Sequence, residues 1–132
     1  MPNSASIYID GGSRGNPGPA GAGIIIKTKE NTHSFSIPLG NQTNNYAEYE
    51  ALLFSLKEAS KLNLDDITIY SDSELLVNQM KGIYKVKSPN LINSYKKAIT
   101  LAKNFRSIKF THIPREKNKE ADKLANIAMD RV

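Results

Sequence analysis

Four acids, Asp10, Glu48, Asp72 and Asp122, each stand where one kind of chain pattern hands over to another. Asp10 closes the β-forming run Ile7-Tyr8-Ile9 and is followed by Gly11, Gly12, Gly15, Asn16, Pro17 and Gly18. These are turn residues, so the chain is expected to turn just past the carboxylate. Asp72 follows a second β-rich run, Asp65 to Tyr70, while Glu48 and Asp122 fall in the first turns of two helical patterns. Alone, each acid has an ordinary role. Asp10 suits an Asx turn, and Glu48 stands at capping-box spacing from Asn45. Ser71 and Glu74 form a similar box that would leave Asp72 in a first helical turn. Asp122 suits a helix dipole or a surface pair. Brought to one sheet edge, however, four carboxylates would repel and desolvate badly, and a divalent cation is the economical remedy. With no cysteine and only His33 and His112, an all-oxygen set favours Mg²⁺ or Mn²⁺.

The elements that must position these acids can be read from the pattern. Ala20 to Lys29 and Thr32 to Pro38 continue the first strand as an antiparallel meander, although Gly21 and Gly23 weaken the second strand. Tyr49, Leu52, Leu53, Leu56 and Ala59 recur at helical spacing, giving a long helix from Asn45 to about Asn63. Strand, helix and strand make a crossover that sets the Asp10 and Asp72 strands parallel, with both acids at their C-terminal edge. A short helix Leu75 to Lys81 follows. Ser88-Pro89 opens another, whose stripe includes Leu91, Tyr95 and Ala98. Ser107 to His112 is a last strand, Pro114 to Lys117 a charged loop, and Asn118 the cap of a final helix with Ala121, Leu124, Ala125 and Ala128 inward.

At 132 residues the chain is expected to form a single domain, 1–132. Its apolar runs are short and Met1-Pro-Asn-Ser is no leader, so a soluble cytoplasmic protein without a membrane segment is expected. Charge is uneven. Residues 1 to 80 carry 5 basic and 9 acidic side chains, residues 81 to 132 carry 13 and 4, and the halves are therefore −4 and +9. No acid lies between Glu74 and Glu116. A solvated lysine face and a surface for a polyanion both fit that run.

Four stretches resemble the signature blocks of type 1 ribonuclease H, in the family's order. They are Asp10-Gly-Gly-Ser-Arg-Gly-Asn-Pro-Gly, Thr43-Asn-Asn-Tyr-Ala-Glu48, Tyr70-Ser-Asp72-Ser and Asn118-Lys-Glu-Ala-Asp122-Lys-Leu-Ala. The resemblance implies an α/β fold in which a mixed five-stranded sheet, an antiparallel meander followed by parallel strands, is flanked by helices. It implies hydrolysis of the RNA strand of RNA/DNA hybrids to 5′-phosphate and 3′-hydroxyl products. It also implies two metal ions held by Asp10, Glu48, Asp72 and Asp122 and bridged by Asp10, the ions activating a water and stabilising the leaving 3′ oxygen. Gly11, Gly12, Asn16, Asn44 and Asn45 would follow the minor groove and the 2′-hydroxyls, and Thr43 would grip a DNA phosphate. For Asn16 and Asn44, turn and cap roles remain equally open. A monomer is expected.

The chain departs from the family in three places. The basic, tryptophan-bearing handle of many bacterial relatives is absent, leaving the short Gly82 to Lys87 stretch, and Lys85, Lys87, Lys96 and Lys97 are the expected substitutes. The mobile loop histidine is also absent. His112 belongs to the last strand, so Arg115 is the expected catalytic substitute. Glu74 stands where some relatives have glutamine. Among rivals, Gly11-Gly12-Ser13-Arg14-Gly15 matches G-x-S-x-G, but Asn16-Pro-Gly-Pro cannot enter a helix as a nucleophile elbow must. A catalytically inactive nucleic-acid-binding module is the alternative, against which the four acids argue because they would repel a polyanion. A different nuclease or strand-transfer enzyme of the same broad fold is disfavoured by Asn16 and Thr43-Asn-Asn.

Overall fold

The computed structural model describes residues 3–132. Three strands, β1 (Ser4–Ser13), β2 (Gly18–Thr28) and β3 (Thr32–Gln42), lead into helix α1 (Asn44–Lys61). Then come β4 (Asp66–Ser71), α2 (Glu74–Met80), α3 (Pro89–Ala102), β5 (Ser107–His112), a short 3-10 turn (Arg115–Lys117) and α4 (Lys119–Asp130). The strands form one five-stranded sheet in the order β3-β2-β1-β4-β5. Pairing is antiparallel from β1 through β3 and parallel from β1 through β5, the expected mixed sheet. No helix among the described residues is long and apolar enough to cross a membrane.

The first strand differs from its sequence reading. It does not end at Asp10 but runs on through Gly11 and Gly12, paired with Ala22 and Gly21, and turns only after Ser13. Glycine lowers strand propensity, yet the ladder with β2 supplies the hydrogen bonds that hold these residues extended. The long helix starts one residue early and is capped by Thr43, whose hydroxyl accepts from the Tyr46 amide at 3.2 Å. Asn45 is therefore not its cap. Likewise Ser73, rather than Ser71, caps α2 through the Leu76 amide. Ser71 is buried and accepts from the Ser73 amide.

One sheet face, carrying Ile7, Ile9, Ile24, Ile26, Ile67 and Ile69, packs on α1 through Tyr49, Leu52 and Leu56. These side chains are almost fully buried and supply most of the hydrophobic drive. The opposite face is covered by α4 over β1, β2 and β3. Gly23 looks like a weak point in sequence, but a Cβ there would lie 2.1 Å from the Ala121 carbonyl oxygen. Its bare backbone admits the alanine-rich side of α4, on which Ala121, Ala125 and Ala128 are fully buried. Leu124, expected inward, is only half-buried.

Candidate metal centre

The strand ladders put Asp10 and Asp72 at neighbouring positions of one sheet edge. Ile9 of β1 pairs with Ser71, the last residue of β4, so the next residue of the chain on each side is the acid. Helix α1 delivers Glu48 to the same place because its first turn approaches β1 at Gly11. A Cβ on Gly11 would meet the Ala47 carbonyl oxygen at 2.2 Å, so a side chain there would push the helix away. With that space open, Glu48 Oε1 accepts from the Gly11 amide at 2.5 Å. Glu48 is thus no capping-box residue: its partner lies on another element. Asp10, Glu48 and Asp72 each offer a carboxylate oxygen, and these oxygens lie within 4.8 Å of one another.

Asp122 lines the same cleft from the start of α4, and its Oδ1 lies 3.8 Å from Arg115 Nη2. It stands beside the close trio rather than within it. The helix is placed by Asn118, which occupies the cap position but makes no side-chain cap bond. Its Nδ2 instead donates to the Ile9 carbonyl at 2.9 Å, while its Oδ1 is buried without a partner. The amide thereby ties the beginning of α4 to the strand residue preceding Asp10.

These surroundings disfavour charge on the acids. Burial, followed by the charges of Glu48, Asp72 and Asp122, pushes Asp10 up to about 9. Glu48 is pushed up to about 8 by burial, with the Gly11 amide opposing. Asp72 is also raised, by burial first, while Arg115 and Asn118 pull it down. A divalent cation would convert this repulsion into coordination, and the donor set of three carboxylates without sulfur or imidazole fits a hard ion. The trio itself fits such an ion: Asp10 and Glu48 are buried with no cationic side chain acting on them, Arg115 reaches only the half-buried Asp72, and acids this close are costly to charge unless something positive joins them.

The remaining site residues are spread unequally. Gly11, Gly12, Asn44 and Arg115 line the cleft, which has a volume of about 440 Å³. Asn16 does not line it, but its Oδ1 accepts from the Asn44 amide at 3.0 Å and links the first turn to the helix start. Thr43 is the exposed cap just described. Asn45 is exposed on α1 and does not line the cleft. Lys85 and Lys87 are exposed between α2 and α3, away from the trio. His112 lies on β5, paired with Ser71, as its pattern suggested.

Arg14, Ser73, Asn126 and Met129, which no sequence pattern marks for a role, also line the cleft. Arg14 pairs with Asp130 and bonds Asn126 in α4, fastening the β1–β2 turn to the last helix. Its position inside the glycine-rich turn was the available signal, since a long cation there has little local to bind.

Comparison with known proteins agrees with this architecture. A family model described as reverse transcriptase-like matches residues 8–128. The bifunctional protein Rv2228c of Mycobacterium tuberculosis is 45% identical over 127 residues, spanning 94% of this chain and 35% of that protein. This chain thus spans about a third of that longer relative. Ribonuclease HI of Halobacterium salinarum is 38% identical over 125 residues, covering 93% of this chain and 63% of that protein. The crystal structure of RNase H1 from Halobacterium salinarum superposes with a TM-score of 0.93 at 37% identity, covering 98% of this chain and 99% of that one. LC11-RNase H1, solved in complex with an RNA/DNA hybrid, gives 0.90 at 44% identity, covering 96% and 97%. With the four sequence blocks meeting on one matching fold, the chain belongs to the type 1 ribonuclease H family.

Proposed function

We propose that this chain is an endonuclease that hydrolyses the RNA strand of RNA/DNA hybrids, leaving 5′-phosphate and 3′-hydroxyl ends. The observation that carries the reading is the meeting of Asp10, Glu48 and Asp72 within 4.8 Å at the end of parallel strands. The hybrid as substrate is supported by LC11-RNase H1, a 44% identical relative solved with one.

Asp10, Glu48, Asp72 and Asp122 would hold the metal, Mg²⁺ or Mn²⁺ and two ions per site. When bound, such ions supply a nucleophilic water at neutral pH and stabilise the charge on the leaving oxygen. Asp10 would hold the ions together with Glu48 and Asp72, whose carboxylate oxygens lie within 4.8 Å of its own. The Gly11 amide fixes Glu48 before metal arrives, which limits reorganisation on binding. Arg115 balances charge at Asp122 and Asp72 and serves as the catalytic-loop residue. Gly11, Gly12, Asn16, Asn44 and Asn45 follow the hybrid's minor groove, Thr43 takes a DNA phosphate, and Lys85 and Lys87 neutralise backbone further along. The chain acts as one domain, as a monomer and in the cytoplasm.

The deciding experiment follows an end-labelled RNA strand paired with DNA, with Mg²⁺, with Mn²⁺ and with EDTA, for wild type and Asp10→Asn. Metal-dependent cutting that disappears in the variant supports the reading. Hybrid binding without cutting under either metal would make the chain a binding module instead, and products ending in 2′,3′-cyclic phosphate would rule out metal-activated water.

A further inference from the structure

Beyond the carboxylate cleft, the sheet face that bears α4 continues over β4 and β5. Cross-strand partners share a face. Ser6 pairs with Thr68 and Tyr8 with Tyr70, while Thr68 pairs with Lys109 and Tyr70 with Thr111. Ser6, Tyr8, Thr68, Tyr70 and Thr111 are only half-buried, and Lys109 is exposed. The surface is therefore polar, aromatic and open.

Its centre is a short stack. The Tyr8 and Tyr70 rings lie 4.8 Å apart at 16°. Lys27 places its ammonium 5.1 Å from the Tyr8 centroid, so Tyr8 has both an aromatic and a cationic neighbour. Tyr70 has Tyr8 as its one aromatic neighbour among the described residues, and its partner on the other side is the small Thr111. Beside the stack, Ser6, Lys27, Thr68, Ser107 and Lys109 line an open cleft of about 680 Å³.

The charge around this cleft is mostly unbalanced cation. Asp66 is engaged by Arg106 at 2.6 Å, and Glu120 lies 3.8 Å from Lys27. Glu116 is the other nearby acid. Lys29 and Lys109 line the cleft, and Lys117 and Lys119 flank Tyr8. None of these four lysines has an ion-pair partner among the described residues. Cross-strand packing accounts for the tyrosine pair, but it asks for no lysines around it.

We propose that this face binds single-stranded nucleic acid, with one base stacked on Tyr70 beside Thr111 and the adjoining phosphate on Lys109. A single strand offers free base faces together with a repeating anion, the two features that an aromatic platform ringed by lysines recognises. Duplex bases are already stacked on one another and cannot use it. The platform adjoins the metal centre along the sheet, since Tyr8 and Tyr70 precede Asp10 and Asp72 by two residues. Its binding does not depend on whether those acids cut.

The test measures anisotropy of a short labelled single-stranded RNA of mixed sequence in EDTA, so that no cleavage intervenes, with a blunt RNA/DNA hybrid as a parallel ligand. Wild type is expected to bind the single strand, more weakly as salt rises. Tyr70→Ala should weaken this by about tenfold, the scale of one lost base stack. Tyr70→Phe should retain it, and the surface change Lys109→Glu should weaken it without touching the core. Hybrid binding should stay unchanged in all three. The proposal fails if wild type does not bind the single strand, if binding survives both Tyr70→Ala and Lys109→Glu, or if hybrid and single-strand binding fall together.

Discussion

The Gly11 amide donates to Glu48 Oε1 at 2.5 Å, joining the strand of one acid to the helix of another across 37 residues of sequence. This bond holds Glu48 in place while burial and Asp72 work against its charge. Glu48→Gln keeps an oxygen for the amide but removes the buried charge. In EDTA at alkaline pH the variant should melt at or above the wild-type temperature. Its gain in melting temperature on adding Mg²⁺ should be smaller than that of wild type. A variant that lost stability in EDTA yet kept the full metal-induced gain would contradict a ligand role for Glu48.

Metal-free stability should fall as pH rises. Asp10 moves from an ordinary 3.8 to about 9 and Glu48 from 4.5 to about 8, so in the intervening window the folded chain holds protons that the unfolded chain has released. Stability then decreases with pH, and the contribution of these acids is lost as pH passes through the folded values. Divalent metal, which binds the deprotonated acids, should flatten or reverse the trend. Melting curves from about pH 4 to about pH 9, the span between the ordinary and the raised values, with EDTA and with Mg²⁺, check the sign. A metal-free protein that gains stability through this window would contradict it.

Gly11→Ala tests whether close approach builds the site. A methyl group would meet the Ala47 carbonyl at 2.2 Å and force α1 to shift. The expected cost is about 1–3 kcal/mol by denaturant titration, with a larger proportional loss of metal affinity than of stability. Unchanged stability and metal affinity would show that the helix start is not fixed by this contact.

Arg115 should set the acid limb of the cleavage profile. Burial raises Asp72, and the Arg115 guanidinium opposes that rise. Its removal favours the protonated acid, so Arg115→Ala should move the acid limb of metal-dependent cleavage to higher pH, and Arg115→Lys should move it less. A uniform loss of rate with no shift of the limb would assign Arg115 a different role.

Asn118→Ala should loosen α4 from β1 by leaving the Ile9 carbonyl without its 2.9 Å donor. A loss of about 1–3 kcal/mol is expected by denaturant unfolding. Asn118→Asp should be worse above neutral pH, because it adds a negative charge beside Asp72. If the two variants were equally stable at every pH, the side chain would not be sensing the acid cluster.

Much of this molecule was legible because its local signals are strong. Runs of β-formers, helical spacing in residues 49–59 and the Ser88-Pro89 start marked element order, and the strand-helix-strand unit implied parallel strands with Asp10 and Asp72 at one edge. Asp72 follows the end of β4, and Glu48 and Asp122 fall near the starts of α1 and α4, as the pattern implies, whereas Asp10 lies inside β1. What each polar group bonds was less legible. Glu48 looked like a partner for Asn45, Ser71 for Glu74 and Asn118 for its own helix, because short spacing is the information that sequence displays. The fold chose Gly11 for Glu48, Ser73 for the α2 cap and the Ile9 carbonyl for Asn118. The glycine run after Asp10 likewise read as a turn, whereas β2 supplied a ladder that extended it. Sequence by itself determined the elements and the acids they carry. Tertiary structure decided which of those acids converge, because convergence depends on how closely α1 and α4 approach the sheet, and missing side chains at Gly11 and Gly23 set that distance.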